Sequence, residues 1–363
     1  MNVAESADFI AASSSSVQID TEAVERAACA IHAQMLANPY SHNQWRANPL
    51  HPQKSDCIDS KSGSERDSAQ ILAHVFVIDL LNFSFWHDCS SQTPYAVLRN
   101  NTWHTGYWSL CAAIMNALDR GIPITNADYY SQASNEDFMA VFVNDAQIRG
   151  EIPMFNERCD LLRRAGIILV KSYDSHIKNL VLSASKSAAK LLKLMVQVFG
   201  EVFDDSLVHH GSKVSFHKRA QIFIADAWAC FGGQSFGEFS DIEIITMFAD
   251  YRVPQTLLYY GILKYSPQLM ATLLQNQRFH SLKSSSTKDE SEKHMIKRGD
   301  LYEIEIRGAS IWAVELLVKE LKKLENMGSI NAIIVDFYLW DLAKLNPSEM
   351  LQWPIHLTRS IYY

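Results

Sequence analysis

Apolar residues recur at intervals of three and four positions along much of this chain, which is the spacing of one face of an α-helix. One such run covers residues 24–35, and in another Leu191, Met195 and Phe199 share a face. Runs with the two-residue period of a strand are few and short. Hydrophobic residues make up 48% of the 363-residue chain, enough for a sizeable core. The pattern predicts a mainly α-helical single domain.

Three segments depart from the helical pattern. A small β-hairpin is predicted at residues 95–103, where β-prone residues flank Asn100-Asn101, a pair that tolerates a tight turn. Residues 1–19 contain a serine run and little apolar pattern, so we expect a flexible leader there. Residues 281–298 are rich in Ser, Lys, Glu and Asp and predict a mobile insert. The folded domain is expected to span residues 20–363.

Two more helices are predicted near the C-terminus. Residues 303–307 alternate polar and apolar side chains, and a helix then runs from about Ala309 to a stop at Gly328. Ser329 can cap the next helix, which ends at Pro347.

Composition and charge exclude several classes of protein. The formal net charge of −7 weighs against nucleic-acid binding, which depends on basic residues that neutralise phosphates. None of the six cysteines lies in a CxxC pair, and we expect neither a metal nor another cofactor. No apolar run reaches the ~18 residues of a membrane span, and the N-terminus lacks the features of a secretory or mitochondrial signal. We therefore expect a cytoplasmic protein that has no membrane partner. A nuclear location is also compatible with the sequence.

Two segments place carboxylates among aromatic residues. Residues 335–341 contain Asp336 and Asp341, and residues 246–255 contain Asp250. A carboxylate held against aromatic rings is costly unless it is paired or used. Aromatic rings can sandwich a base, carboxylates can accept its hydrogen bonds, and Lys or Arg can hold a phosphate. The two segments therefore suit a ligand the size of a nucleotide.

Taken one by one, these residues fit a catalytic role and a structural role equally well. A carboxylate beneath a sugar could stabilise an oxocarbenium-like transition state, but buried ion pairs and aromatic core positions produce the same pattern. Lys218, Arg219 and Arg252 are candidate phosphate ligands. Asp226, inside an apolar helix, is expected to form a structural ion pair with an Arg or Lys. His51 lies in a loop and is expected, from the sequence alone, to be solvated.

Longer blocks, in order from about residue 20 to the C-terminus, resemble the queuosine salvage family. These blocks are Leu81-Asn82-Phe83-Ser84-Phe85-Trp86, Gly106-Tyr107-Trp108-Ser109-Leu110-Cys111-Ala112-Ala113, Gly121-Ile122-Pro123-Ile124-Thr125, Lys218-Arg219-Ala220-Gln221-Ile222, Thr246-Met247-Phe248-Ala249-Asp250-Tyr251-Arg252-Val253-Pro254-Gln255, Glu303-Ile304-Glu305-Ile306-Arg307 and Phe337-Tyr338-Leu339-Trp340-Asp341.

The resemblance implies a helical fold similar to that of DNA glycosylases. It also implies hydrolysis of the N-glycosidic bond of queuosine 5'-monophosphate, a small nucleotide, with release of queuine that another enzyme reinserts into tRNA. The family's catalytic aspartate corresponds to Asp336. The implied base-contacting positions, which revise the expectation for the loop histidine, are His51, Met247, Phe248, Asp250, Phe337 and Asp341.

The chemistry of the base sharpens these expectations. Queuine is a 7-deazaguanine, so the usual protonation site at N7 is a carbon, and the enzyme must stabilise charge at the sugar instead. We predict an ionised Asp336 that faces the anomeric carbon beside a water, and Asp250 or Asp341 paired with the guanine-like edge. The alternatives are a DNA or RNA glycosylase, a non-catalytic carrier of queuine or queuosine, and a helical scaffold protein. The acidic charge opposes the first, and the last leaves the charged aromatic blocks unexplained.

Overall fold

The computed structural model describes residues 1–52, 65–86, 93–281 and 293–363, and helices dominate these ranges, which confirms the mainly α-helical prediction. The helices are α1 (Val3–Ser13), α2 (Thr21–Ala37), α3 (Asn43–Ala47), α4 (Glu65–Leu80), α5 (Tyr107–Asp119), α6 (Ala127–Tyr130), α7 (Asn135–Phe142), α8 (Phe155–Ser172), α9 (Ile177–Ser183), α10 (Ala188–Phe199), α11 (Lys218–Phe231), α12 (Val253–Tyr259), α13 (Pro267–Ser281), α14 (Leu301–Leu321), α15 (Ala332–Leu345) and α16 (Pro347–Met350). No helix in these ranges has the length and apolar character needed to cross a membrane. The predicted insert at residues 281–298 lies largely outside the described residues.

Among the described residues, short strands form three small antiparallel sheets, in the orders β1–β7, β3–β2–β4 and β5–β6. The strands are β1 (Val17–Ile19), β2 (Ala96–Arg99), β3 (Thr102–Thr105), β4 (Ile148–Arg149), β5 (Ser206–His209), β6 (Ser212–Ser215) and β7 (Leu263–Tyr265). The predicted hairpin is confirmed: β2 pairs with β3, and Asn100 and Asn101 turn the chain with φ angles of 50° and 60°. The addition of β4 to this hairpin was not predicted.

The flexible leader predicted for residues 1–19 is wrong. Its first part is α1, which begins with a capping box between Asn2 and Glu5, and its last part is β1, which pairs with β7. Ile10 is fully buried against Gly308 of α14, where a Cβ would lie 2.5 Å from the isoleucine side chain. Glycine at this position therefore lets α1 pack directly on α14. The helix was missed because the polar Ser6 occupies one of its buried positions and interrupts the apolar spacing of Val3, Ala7 and Ile10.

Helix α14 has different boundaries from those predicted. It begins at Leu301, so residues 303–307 are helical, and it ends before Gly328. Glu303 and Arg307 lie one turn apart, both fully buried, and their side chains form an ion pair of 3.0 Å. Asp205 forms a second ion pair with Arg307. The alternating pattern at residues 303–307 therefore does not mark a strand. It reflects charged side chains that are buried in a helix and paired there.

Helix α15 lies between two clusters of buried apolar side chains. The first cluster centres on α4, α5, α8 and α11, and the second on α1, α2, α12 and α14. Ile333 packs in the first cluster and Val335 in the second. The helix is capped by Asn331, whose side chain accepts the N–H of Ile334 at 3.0 Å, and not by the predicted Ser329.

Candidate active site

A cavity of about 150 Å³ opens between α15 and the residues that precede α12. An engineered protein cavity of similar volume admits benzene, so a flat ring can enter a space of this size. Eight of the ten site residues predicted from the sequence line the cavity: His51, Lys218, Phe248, Asp250, Arg252, Asp336, Phe337 and Asp341.

One face of α15 supplies three residues of the cavity wall. Asp336, Trp340 and Lys344 are four positions apart along the helix and therefore point to the same side. The sequence interpretation did not include Lys344 among the site residues. Its helical spacing from Asp336 is the signal that could have identified it.

Asp336 is only 4% exposed, and its Oδ1 accepts the backbone N–H of Phe248 at 2.9 Å. Burial, and then the nearby Asp250 carboxylate, raise the pKa of Asp336 well above its usual value. The Phe248 N–H and the Lys218 ammonium oppose this shift. The sequence predicted an ionised Asp336. Burial shifts this carboxyl toward the neutral acid, and a positive charge nearby shifts it back toward the carboxylate.

The carboxylate of Asp250 shapes the turn into α12. Its Oδ1 accepts the backbone N–H groups of Arg252 at 2.8 Å and of Val253 at 3.0 Å. Oδ2 accepts no hydrogen bond from the described residues, and the side chain lines the cavity. One oxygen of Asp250 is therefore structural, and the other can accept a hydrogen bond from a ligand.

Asp341 is held by a residue that the sequence interpretation missed. The hydroxyl of Tyr40 donates a hydrogen bond of 2.5 Å to Oδ2 of Asp341, and both residues line the cavity. Burial raises the pKa of Asp341, and the Tyr40 hydroxyl partly offsets that rise. Nothing in the local sequence links the two residues, which are brought together by tertiary packing.

The expectation of a solvated His51 is wrong, because this side chain is only 4% exposed. Its ring stacks on Trp45 with the centroids 4.0 Å apart, Nδ1 lies 2.6 Å from the Trp45 carbonyl oxygen, and Nε2 lies 3.0 Å from the Tyr107 hydroxyl. Burial lowers the pKa of His51 to about 4, so the imidazole is neutral near pH 7. His51 is therefore a fixed, uncharged part of the wall.

Aromatic rings form much of the remaining wall. The rings of Phe248 and Phe337 lie 6.2 Å apart and are tilted by 54°. Trp340 contacts both Tyr107 and Trp108 edge to face. Of these five residues, only the two phenylalanines were predicted as site residues. The cavity thus presents flat apolar surfaces with carboxylates set between them.

Two of the three candidate phosphate ligands line the cavity. Lys218 is buried, its ammonium donates to the Asn82 carbonyl at 3.0 Å, and burial lowers its pKa to about 8. Arg252 donates from Nη1 to the Gln255 side chain at 3.2 Å. Arg219, in contrast, lies outside the lining.

Met247 and Arg219 are the predicted site residues that the structure does not bring to the cavity. Met247 is fully buried in the second apolar cluster, while its neighbour Phe248 packs against the first. The Arg219 guanidinium donates to the carbonyl oxygens of Leu80 and Val202. Adjacent residues point in different directions, and the sequence blocks could not separate the side chain that faces the cavity from its neighbour.

The prediction of an ion pair for Asp226 is also wrong. Within the described ranges no Arg or Lys forms an ion pair with Asp226, whose titratable neighbours are the buried carboxyl of Asp79 and the ammonium of Lys218. Burial raises the pKa of both groups, and their proximity adds to the rise for Asp79. Asp226 lines the cavity. The same ranges contain no group of three His, Cys, Asp or Glu side chains that could hold a metal ion.

Comparisons with known proteins agree with the resemblance seen in the sequence blocks. A family model described as "Queuosine salvage protein" matches residues 62–363. The chain is 37% identical to a Nematostella vectensis protein named queuosine 5'-phosphate N-glycosylase/hydrolase, over 99% of this chain and 97% of that one. Proteins of the same name from Mus musculus and Schizosaccharomyces pombe are 38% and 35% identical over 99% of this chain and 98% and 99% of their own lengths. Because the family model covers most of the chain and these relatives align almost end to end, the chain belongs to the queuosine salvage protein family.

Proposed function

We propose that this protein is an N-glycosylase that hydrolyses the N-glycosidic bond of queuosine 5'-monophosphate and releases queuine for salvage into tRNA. The observation that carries the proposal is Asp336, a buried carboxylate in the wall of a ring-sized cavity. Relatives that align along the whole chain are named for this reaction.

The deazaguanine ring of the substrate enters among the aromatic side chains. Phe248 and Phe337 offer ring faces on which a base can stack. Oδ2 of Asp250 and the carboxylate of Asp341 can accept hydrogen bonds from N–H groups on the guanine-like edge. The neutral His51 contributes shape and hydrogen bonding without adding charge.

Asp336 acts at the sugar. Because queuine has a carbon in place of N7, the reaction depends on stabilising the positive charge that develops on the ribose. As the C1'–N9 bond breaks, its electron pair goes to the base, which then takes a proton from solvent. A water oxygen forms the new bond to C1', and Asp336 stabilises the ribose cation and accepts the proton of that water.

The raised pKa of Asp336 suits this role. The growing charge on the ribose favours the ionised carboxylate, which burial has made a stronger base than an exposed aspartate. The buried ammonium of Lys218 also favours the ionised form. We therefore assign Lys218 to the carboxylates of the site rather than to the phosphate of the substrate.

The substrate is a free nucleotide rather than a tRNA. The net charge of −7 disfavours the wide phosphate contacts that nucleic acid requires, and the cavity accepts one ring system. We assign the activity to the cytoplasm, with no membrane partner.

Product analysis tests the proposal. The purified protein should release queuine and ribose 5-phosphate from queuosine 5'-monophosphate, as followed by chromatography, and the Asp336→Asn variant should not. Tight binding of the nucleotide without release of queuine would identify a carrier instead. Oligonucleotide binding with a steep dependence on salt would favour a nucleic-acid glycosylase.

A further inference from the structure

One residue in the wall of the cavity has a strained backbone. Ser84 lies in the left-handed region with a φ of 44°, a conformation that L side chains disfavour. It is fully buried within residues 82–86, which we call the wall segment. Asn82, Phe83 and Phe85 line the cavity together with it. A buried residue keeps such a conformation only where its surroundings hold it there.

Residues 356–363, which we call the strap, hold Ser84 in this conformation. The backbone N–H of Ser84 donates to the carbonyl oxygen of Tyr363 at 3.1 Å, and its Oγ donates to the carbonyl oxygen of Ser360 at 2.8 Å. The same Oγ accepts the backbone N–H of Ser360 at 3.2 Å. Glycine would adopt this conformation with less strain, but only a hydroxyl can both donate and accept in this way. The serine side chain therefore joins the wall segment to the strap.

The strap also contacts the end of the wall segment. Nε1 of Trp86 donates to the carbonyl oxygen of Thr358 at 3.4 Å, and Nη1 of Arg359 donates to the carbonyl oxygen of Trp86 at 3.1 Å. The Arg359 guanidinium lies 3.9 Å from the centre of the Trp86 ring. Tyr363 is only 1% exposed and lines the cavity. The strap therefore extends from the wall segment to the cavity itself.

The wall segment in turn positions Lys218. The ammonium of Lys218 donates to the carbonyl oxygen of Asn82 at 3.0 Å, and its charge favours the ionised form of Asp336. Asn82 lies two residues before Ser84, so a change of the backbone at Ser84 would move this carbonyl. Contacts therefore connect the strap, through Ser84 and Lys218, to the carboxylate that we assign to the reaction.

Arg158 holds the wall segment but does not replace the strap. Its fully buried guanidinium donates to the carbonyl oxygens of Leu81 and Phe83, and it lies 4.2 Å and 5.1 Å from the ring centres of Phe83 and Phe85. These contacts fix carbonyl oxygens and rings. They leave the N–H and the hydroxyl of Ser84 to the strap.

We propose that Ser84 is a positioning residue for the reaction, and that the strap holds it in the left-handed conformation that keeps Lys218 beside Asp336. This inference rests on the proposed function, and it adds residues 356–363 to the parts of the chain on which catalysis depends.

Steady-state kinetics on serine variants test the inference. Ser84→Ala removes the side-chain bonds to the strap, while its Cβ still disfavours the left-handed backbone. We expect kcat for queuosine 5'-monophosphate to fall by about ten- to a hundredfold, the effect of a small displacement at a reacting group. KM should change less than about threefold, because Phe248 and Phe337, to which we assign the base, belong to other segments.

A second variant and a matched control separate backbone positioning from the loss of a hydrogen bond. Ser84→Gly also lacks the hydroxyl, but glycine adopts the left-handed conformation without support, so most of the activity should return. Ser185 is an exposed serine with a φ of 53°, and Ser185→Ala should keep wild-type kinetics. The Tm of each variant shows that the assay temperature lies below its unfolding transition.

Arg359→Met tests the strap from its own side. The substitution removes the bond to the Trp86 carbonyl oxygen, and kcat should fall by about three- to tenfold in the wild-type background. The effect should be smaller in Ser84→Gly, because the glycine backbone needs no support. This variant keeps the inference testable if Ser84→Ala does not fold.

Three results would overturn the inference. They are a kcat of Ser84→Ala within about twofold of wild type, an equal loss of kcat in Ser84→Ala and Ser84→Gly, and an equal effect of Arg359→Met in both backgrounds. A strap that only stabilised the fold would lower the Tm of the variants and leave the kcat of the folded enzyme unchanged.

Failure of the proposed function has a different signature, because wild type would then release no queuine. In that event hydrogen exchange decides. The amides of residues 82–86 should exchange faster in Ser84→Ala than in wild type, Ser84→Gly and Ser185→Ala. Equal exchange in all four proteins would show that the strap does not hold the wall segment.

Discussion

The backbone N–H of Phe248 donates a hydrogen bond of 2.9 Å to Oδ1 of Asp336, and this bond joins segments 88 residues apart in the sequence. It orients the carboxylate from the segment that also carries Asp250. Oδ2 of Asp336 accepts no hydrogen bond from the described residues. One oxygen is therefore held by the fold, and the other can face a substrate.

Asp336→Asn should abolish most of the activity while preserving the fold. The amide oxygen can still accept the Phe248 N–H, but a neutral amide neither stabilises a ribose cation nor accepts a proton from water. We expect kcat to fall by about 10²–10⁴-fold, with a circular dichroism spectrum unchanged from wild type. Activity within about tenfold of wild type would rule out the assigned role.

The same substitution should stabilise the protein in a manner that depends on pH. The pKa of Asp336 is raised in the folded state, so ionisation is easier in the unfolded chain, where an aspartate has a pKa of about 3.9. The resulting penalty on folding is absent below that pH and grows as the pH rises toward the folded-state pKa. Urea denaturation should therefore show a larger free energy of unfolding for Asp336→Asn than for wild type at pH 7.5, and a smaller difference at pH 4. An equal difference at both pH values would contradict the raised pKa.

The acid side of the pH–rate profile should report the same carboxyl. Because the proposed mechanism requires ionised Asp336, kcat/KM should fall as the pH drops through the raised pKa, at a pH above the usual aspartate value of about 3.9. Lys218→Met removes an ammonium that lowers this pKa, and the acid limb should then move to higher pH. A limb that stays in place in Lys218→Met would show that another group controls it. Lys190→Met, which removes an exposed lysine of α10, is the control and should leave the acid limb in place.

Tyr40→Phe should weaken substrate binding more than it slows the bound substrate. The Tyr40 hydroxyl holds the carboxylate of Asp341, which we assign to the base rather than to the sugar. We expect KM for queuosine 5'-monophosphate to rise by about three- to tenfold, with kcat changed less than about twofold. Tyr338→Phe is a suitable control, because its hydroxyl bonds to Gln34 away from the cavity lining. A loss confined to kcat in Tyr40→Phe would move Asp341 to the chemical step.

Arg307→Met should destabilise the fold without a specific effect on the site. The guanidinium is fully buried between Asp205 and Glu303, and its removal leaves two buried carboxylates without their cation. A loss of about 3–5 kcal/mol in the free energy of unfolding is expected from denaturant titration. Lys322→Met breaks the exposed pair with Glu243 and should cost less than about 1 kcal/mol. Similar losses for both variants would mean that the buried network contributes little.

The helices and the hairpin could be predicted because their signals are local. Apolar spacing identifies the buried side of a helix, and Asn100-Asn101 favours a tight turn between two β-prone runs. The α1 helix and the start of α14 were missed for the same physical reason. In both, polar residues occupy buried positions that only tertiary partners satisfy, such as Asp205 for Arg307.

The site could be predicted as a set of segments but not as a set of side chains. The blocks around residues 246–255 and 335–341 do border the cavity. Periodicity indicates which residues share a face of one helix or strand. It does not indicate which face stays uncovered once the other elements pack against it. Met247 was included because the family resemblance implied it, and Arg219 because a cation can hold a phosphate, yet neither side chain lines the cavity. Tyr40 and Lys344, which do line it, were left out.

The helix that carries Asp336 is packed on one side by the cluster containing Ile333 and on the other by the cluster containing Val335. Loosening either half of the molecule would displace the carboxylate to which we assign the reaction. Heat inactivation should consequently coincide with the cooperative melting of the entire protein. No folded but inactive intermediate should form at a lower temperature.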